Sequence, residues 1–144
     1  MRGGTRRFAV VQRSKDRLWV LPRGKLRRNE RPVSGARREV VEETGFRVKV
    51  GEFLGAITYL AGGRPKVVQF WHMLAAARQS YQVAKDILTV EWLSLSAAVK
   101  RLSHPLERLF LENVGSYSAL RNKRPKKRGK VVTRVARQSR RSIR

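Results

Sequence analysis

The chain has 144 residues, with 34 Lys and Arg against 10 Asp and Glu, a net charge of +24 and a pI near 11.9. That length supports one compact domain burying roughly two-thirds of its unfolded surface, and a content of 41% hydrophobic and 31% charged residues excludes a wholly disordered or a membrane-spanning chain. The lack of cysteine, with only His72 and His104, excludes disulfides, thiolate zinc and iron–sulfur sites and cysteine nucleophiles, so metal chemistry here would use oxygen ligands suited to magnesium or manganese.

Taken in chain order, the start is basic, but the apolar stretch 8–11 is too short for a secretory signal. No apolar run approaches the ~18 residues of a membrane helix. A cytoplasmic location without membrane contact is the expectation. Residues 8–11 and 18–21 read as strands around a polar turn, followed by a loop rich in Arg, Gly and Pro over 22–32. Ser34 is the expected cap of a helix running to Thr44, stopped by Gly45. Apolar alternation predicts strands at 46–50, 53–60, 67–75 and 90–95, with a turn at 62–65, and short helices at 96–102 and 105–114. Alternation over 67–74 sets Val68, Phe70 and His72 against Val67, Gln69, Trp71 and Met73, one of the two faces being core. These elements predict an α/β fold with a mixed sheet between helices.

Residues 121–144 hold 12 Lys and Arg and no acid, leaving a net +12 on the preceding body. The expected organisation is a domain over 1–114 and a basic tail over 115–144, flexible or loosely helical on its own because like charges repel and apolar anchors are few. Such a tail can make nonspecific, salt-sensitive contact with nucleic acid.

Four of the ten acids fall between positions 30 and 43. On a helix Glu39, Glu42 and Glu43 are spaced i, i+3 and i+4, so their carboxylates share one face. Two accounts of such a cluster compete. Arg37, Arg38 and Arg47 can pair with it at the surface, where pairs are common and weak, or a divalent cation can supply the opposite charge. The surrounding residues favour the second. Gly24, Glu30, Arg38, Glu39, an aliphatic Val40, Glu42, Glu43, Gly45 and an apolar Phe46 stand at the spacing of the Nudix box. A chance match of seven fixed identities is rarer than ~1 in a million for a chain of this size. The chain resembles a Nudix hydrolase, with the box over 24–46.

The resemblance implies a Nudix α/β/α sandwich. It implies that Glu39, Glu42 and Glu43, with the main-chain carbonyl of Gly24, hold Mg2+ or Mn2+, that Arg38 braces the box carboxylates, and that Glu30 closes the loop, with Gly45 as a structural position. Glu43 or Glu39 is the candidate general base. Asp86, five residues before Glu91-Trp92, stands where many members carry an acid that contributes to the metal or water. The segment Trp19-Val20-Leu21-Pro22-Arg23-Gly24-Lys25 is similar to that of diadenosine polyphosphate hydrolases and MutT-like members, a likeness that extends over roughly 6–114. The implied substrate is a dinucleoside polyphosphate or an oxidised or normal nucleoside triphosphate, bound through Arg23 and Lys25 at the phosphates and through Tyr59 and Phe70 at the base. A diphosphoinositol polyphosphate competes because Arg27 and Arg28 add charge beside the box. The reading of another class is a nucleic-acid-binding module on a Nudix scaffold, against which the intact box argues. Oligomeric state is not readable from these residues.

Overall fold

The computed structural model describes residues 6–121 and 130–139, with Lys25, 116–121 and 130–139 described by their backbone. The elements are β1 (Phe8–Arg13), β2 (Trp19–Val20), β3 (Arg23–Lys25), α1 (Pro32–Thr44), β4 (Phe46–Ala61), β5 (Arg64–Gln79), β6 (Ile87–Leu93), α2 (Leu95–Arg101), α3 (Pro105–Arg121) and β7 (Lys130–Ser139). Among the described residues the strands form one sheet in the order β2-β1-β7-β5-β4, with β3 on β7 and β6 on β1. The sheet is mixed, since β7 runs parallel to β1 and β3 and antiparallel to β5.

Both faces of the sheet are covered. On one, α1 seats Ala36 and Val40 against Ala9, Phe46, Val48, Trp71 and Met73. On the other, Ala98 and Leu102 from the α2 end and Leu111 from α3 meet Phe8, Val10, Leu21, Val68 and Phe70. Strand alternation explains the division, because neighbouring residues point to opposite sides. Phe70 and Trp71 therefore enter different cores, and β5 is apolar on both faces rather than one.

The box helix begins earlier than the expected Ser34 cap. Arg31 is the N-cap and Pro32 opens the first turn, where its missing N–H costs nothing and its fixed φ suits the helix. Gly45 ends it as expected, at φ 78°, donating its N–H to the Val41 carbonyl. Residues 46–61 form one continuous strand with register shifts between Phe46 and Gly55, where two strands were expected. The stretch 23–25, expected as loop, is a short strand because β7 supplies its partner.

Helix α3 continues past residue 114 to Arg121, and residues 130–139 form the extended strand β7. Strand β7 pairs with β5 from Ala75↔Lys130 to Lys66↔Ser139, and with β3 at Arg23↔Val135, Gly24↔Ala136 and Lys25↔Arg137. No helix among the described residues is long and apolar enough to cross a membrane.

Candidate active site

The loop before α1 brings Gly24 and Glu30 to the helix that carries the glutamates. Asn29 adopts φ 61°, a left-handed conformation that Asn tolerates better than most side chains, and the turn closes with the Glu30 N–H on the Arg27 carbonyl at 3.1 Å. Gly35 lets this loop lie close, since a Cβ there would meet Leu26 at 2.5 Å and the Glu30 carboxylate at 2.9 Å.

Arg38 is the centre of the polar network. Its Nε and Nη2 donate to the two oxygens of Glu30, both at 2.9 Å, and its Nη1 donates to Glu39 Oε1 at 2.8 Å and to Glu42 Oε2 at 3.4 Å. The two-pronged contact with Glu30 is the strong geometry for a guanidinium. Together with the Arg27 N–H on Oε1 at 2.9 Å, it lowers the Glu30 carboxyl from 4.5 to about 2. Glu30 in turn raises the Arg38 guanidinium above its ordinary value. By contrast the pair of Arg27 and Glu42, at 3.7 Å with both side chains well exposed, contributes at most about 1 kcal/mol.

The three helix glutamates have different surroundings. Glu43 is buried and accepts the Arg23 N–H at 3.0 Å. Glu39 lies directly against Gly24, where any Cβ would collide with its carboxylate. Glu42 is exposed beside Arg38. They share a helix face as expected, but their carboxylates are spread between Arg38 and the Arg23 N–H. Among the described residues no three carboxylates or imidazoles form a ready-made metal cage. The physical reason is the repulsion the spacing implies, which the guanidinium of Arg38 and a backbone N–H offset here. The oxygen donors nevertheless fit a hard cation, and the missing side chain of Gly24 leaves its backbone in reach of Glu39.

Beside this network is a cavity of about 190 Å3 with apolar walls from Ile57, Tyr59, Val68, Phe70, Pro105 and Leu106. Arg23, His104 and Glu107 supply its polar groups. Phe70 is wholly buried and stacks on Phe110 with centroids 3.9 Å apart, so it serves the core as much as the cavity. Tyr59 lines the wall. Arg23 does not project to the solvent mouth. Its side chain is 12% exposed and turns to Glu107 on α3, Nη1 to Oε1 at 3.5 Å. Lys25 is described by its backbone, within β3, and its side chain lies outside the described structure. Asp86 is exposed. Its carbonyl accepts the Ser14 N–H at 2.8 Å, and no described contact joins its carboxylate to the box.

Glu107 has no counterpart among the residues expected from sequence. It is buried, and its Oε2 accepts the Leu21 N–H at 3.1 Å. Its position four residues before the buried Leu111 was the available signal, an acid on the apolar side of a helix in an acid-poor chain. The turn before α3 adds a second tie, with Ser103 Oγ accepting the Trp19 N–H and the Ser103 N–H donating to the Trp19 carbonyl, both at 2.9 Å.

The NUDIX domain model matches residues 1–114. The chain belongs to the Nudix family. A "MutT-like protein" of Streptomyces ambofaciens is 45% identical over 97 residues, covering 67% of this chain and 61% of that protein. An "8-oxo-(d)GTP phosphatase" of Mycolicibacterium smegmatis is 32% identical over 103 residues, covering 72% of this chain and 32% of that protein. The match thus spans about three-fifths of one curated relative and a third of the other. Among solved structures, an Ap4A hydrolase of C. elegans in a binary complex superposes with a TM-score of 0.66 at 20% identity, over 80% of this chain and 93% of that one. The MutT protein of Methanosarcina mazei Go1 gives 0.58 at 20% identity, over 79% and 90%. At these identities the structures establish a shared Nudix α/β/α fold.

Proposed function

We propose that this Nudix chain is a divalent-metal-dependent pyrophosphohydrolase that cleaves a phosphoanhydride bond of a nucleoside polyphosphate by attack of water. The observation that carries this reading is the adjoining of two unlike sites, a carboxylate cluster against Gly24 and an apolar cavity lined by Tyr59, both touching Arg23. A dinucleoside polyphosphate and an oxidised or normal nucleoside triphosphate each carry a flat base and a polyphosphate in that order. The named activity of the M. smegmatis relative supports ranking the triphosphate first. A diphosphoinositol polyphosphate has no flat apolar part for the cavity and falls behind. The cytoplasm, where nucleoside polyphosphates are held, is the compartment that goes with this substrate.

In this reading Glu39, Glu42, Glu43 and the Gly24 carbonyl hold Mg2+ or Mn2+, which when bound neutralises the polyphosphate and makes a coordinated water more acidic. Arg38 holds Glu39 and Glu42 in place and is anchored by Glu30. Glu43, fixed by the Arg23 N–H, takes the proton from the attacking water as general base. Arg23 and Tyr59 orient the base in the cavity. Asp86 adds a carboxylate to this set only through movement of the loop that carries it.

The test is turnover of a panel of nucleoside triphosphates, 8-oxo-dGTP, dinucleoside polyphosphates and diphosphoinositol polyphosphates with Mg2+. A nucleotide is expected to be split, and Glu43→Gln to lose roughly 100- to 10,000-fold in kcat, the usual contribution of general acid–base catalysis, while its circular dichroism matches the parent. Turnover of inositol pyrophosphates alone, or of nothing, would overturn the reading.

A further inference from the structure

The cavity's polar groups come from two distant parts of the chain, and their pairing determines which base edge the cavity accepts. We propose that Arg23 reads the base through its guanidinium, that Glu107 is the positioning residue that aims it, and that the pair makes the cavity select guanine-type over adenine-type nucleotides. The proposal rests on the reading of the cavity as a base site.

Three observations support it. Arg23, which sequence places at the phosphates, has a largely buried side chain turned into the cavity wall. Glu107 is buried, lies 3.5 Å from Arg23 Nη1, and is itself fixed by the Leu21 N–H at 3.1 Å, so its carboxylate cannot swing away without leaving a buried donor unpaired. Apart from the His104 imidazole and the Tyr59 hydroxyl, the rest of the wall, from Ile57, Val68, Phe70, Pro105 and Leu106, is apolar, so the Arg23 guanidinium is the cationic donor in the lining.

A guanidinium has donors and no acceptor. Guanine presents the O6 acceptor where adenine presents the N6 amino donor. Donor against acceptor is favourable, and donor against donor in an apolar cavity leaves two polar groups unsatisfied. The planar fork of Arg also fixes direction in a way a lysine ammonium does not. Glu107 keeps that fork in one orientation and offsets its charge in a buried place, where removing one member of an ion pair is costly. Because the Arg23 N–H also donates to Glu43, a base seated on the guanidinium is registered against the proposed general base by one residue.

The experiment measures kcat/KM for GTP and ATP with Mg2+, and calorimetric affinities for GMP and AMP without metal, on the full chain and on Glu107→Gln. The amide oxygen of Gln still accepts the Leu21 N–H while the negative charge is removed. Wild type is expected to prefer guanine by at least about tenfold, a good base contact being worth roughly 1–3 kcal/mol. Glu107→Gln is expected to bring the ratio to within about twofold of unity, mostly through KM and GMP affinity. Equal losses for both bases would show a merely structural role and overturn the proposal, as would wild type binding GMP and AMP alike. Should Glu107→Gln fail to fold, Arg23→Lys keeps a cation for Glu107 but removes the fork, and must lower the same ratio. Wild type that binds GMP selectively but hydrolyses no nucleotide would leave this proposal standing and remove the hydrolase reading instead.

Discussion

Gly24 and Glu30 are the two box residues whose roles can be separated by substitution. Gly24 has no side chain where Glu39 lies, so Gly24→Ala must displace either the backbone of β3 or the Glu39 carboxylate. Since a misplacement of about 1 Å at a reacting centre can cost about 100-fold, kcat is expected to fall by about that factor, with weaker Mn2+ binding by paramagnetic resonance and a thermal midpoint close to the parent. Unchanged Mn2+ binding would place the metal elsewhere. Glu30 acts through Arg38, whose guanidinium lowers its carboxyl to about 2 from 4.5. A lowered folded-state value stabilises the folded chain above pH 4.5, and that contribution is lost as pH falls from 4.5 towards 2. The stability difference between wild type and Glu30→Gln in urea titrations should therefore be constant above pH 5 and shrink steadily below 4.5. A gap independent of pH would mean that Glu30 acts by packing alone. Both residues were readable from sequence by their spacing in the box. Glu107 was not, because its spacing from Leu111 marks only an acid on an apolar helix face, while the partners that give it a role, Leu21 and Arg23, lie 86 and 84 residues away in the chain.

Among the elements, α1 was readable because its cues are local. Its glutamate spacing, the apolar ridge of Ala36 and Val40 and the terminating Gly45 all lie within one helix. Its first residue was misplaced because Pro32 outweighs Ser34 as a start signal once the loop from 26 to 31 turns. Strand β3 was read as loop for a different reason. Three residues with Arg and Lys carry no periodicity, and their extended form depends on pairing with β7, more than a hundred residues later. Phe70 and Trp71 show the same limit in milder form, since alternation separates their faces but cannot say that both faces are covered. The helix end supplies the prediction that belongs at this scale. At Gly45 the φ of 78° would cost an L-residue roughly 1–2 kcal/mol, and a Cβ there would also collide with the Tyr81 carbonyl. Gly45→Ala should lower the urea-unfolding free energy by at least that amount. A variant as stable as the parent would show that the loop at Tyr81 yields freely.

For the whole molecule, the charge of +24 has two parts with different consequences. Four of the body's ten acids lie around Arg38 and the box, while the last residues carry no acid at all. Read from sequence, that final segment is separable, and its removal would leave turnover intact while weakening contact with nucleic acid. The sheet argues otherwise for turnover. Strand β7 lies between β1 and β5 and is the backbone neighbour of β3, whose Gly24 lies against Glu39 and whose Arg23 N–H holds Glu43. Its valines, Val131, Val132 and Val135, lie among Lys and Arg and show no clean alternation, and a strand placed centrally in a sheet has its partners far away in sequence. Deleting residues 122–144 removes the hydrogen-bond partners of β3 and of one edge of β5, and unpaired backbone groups in a sheet interior are costly. The truncated chain is therefore expected to unfold at a lower urea concentration and to lose at least tenfold in kcat, with faster hydrogen exchange at the amides of β5 that pair with β7. Binding of a single-stranded oligonucleotide, measured by anisotropy across salt, should show the wild-type dependence flatten after truncation, because fewer phosphate contacts release fewer counterions. If the deletion flattens the salt dependence and leaves stability and kcat as they were, the segment is a tail after all and β7 is not part of the catalytic fold.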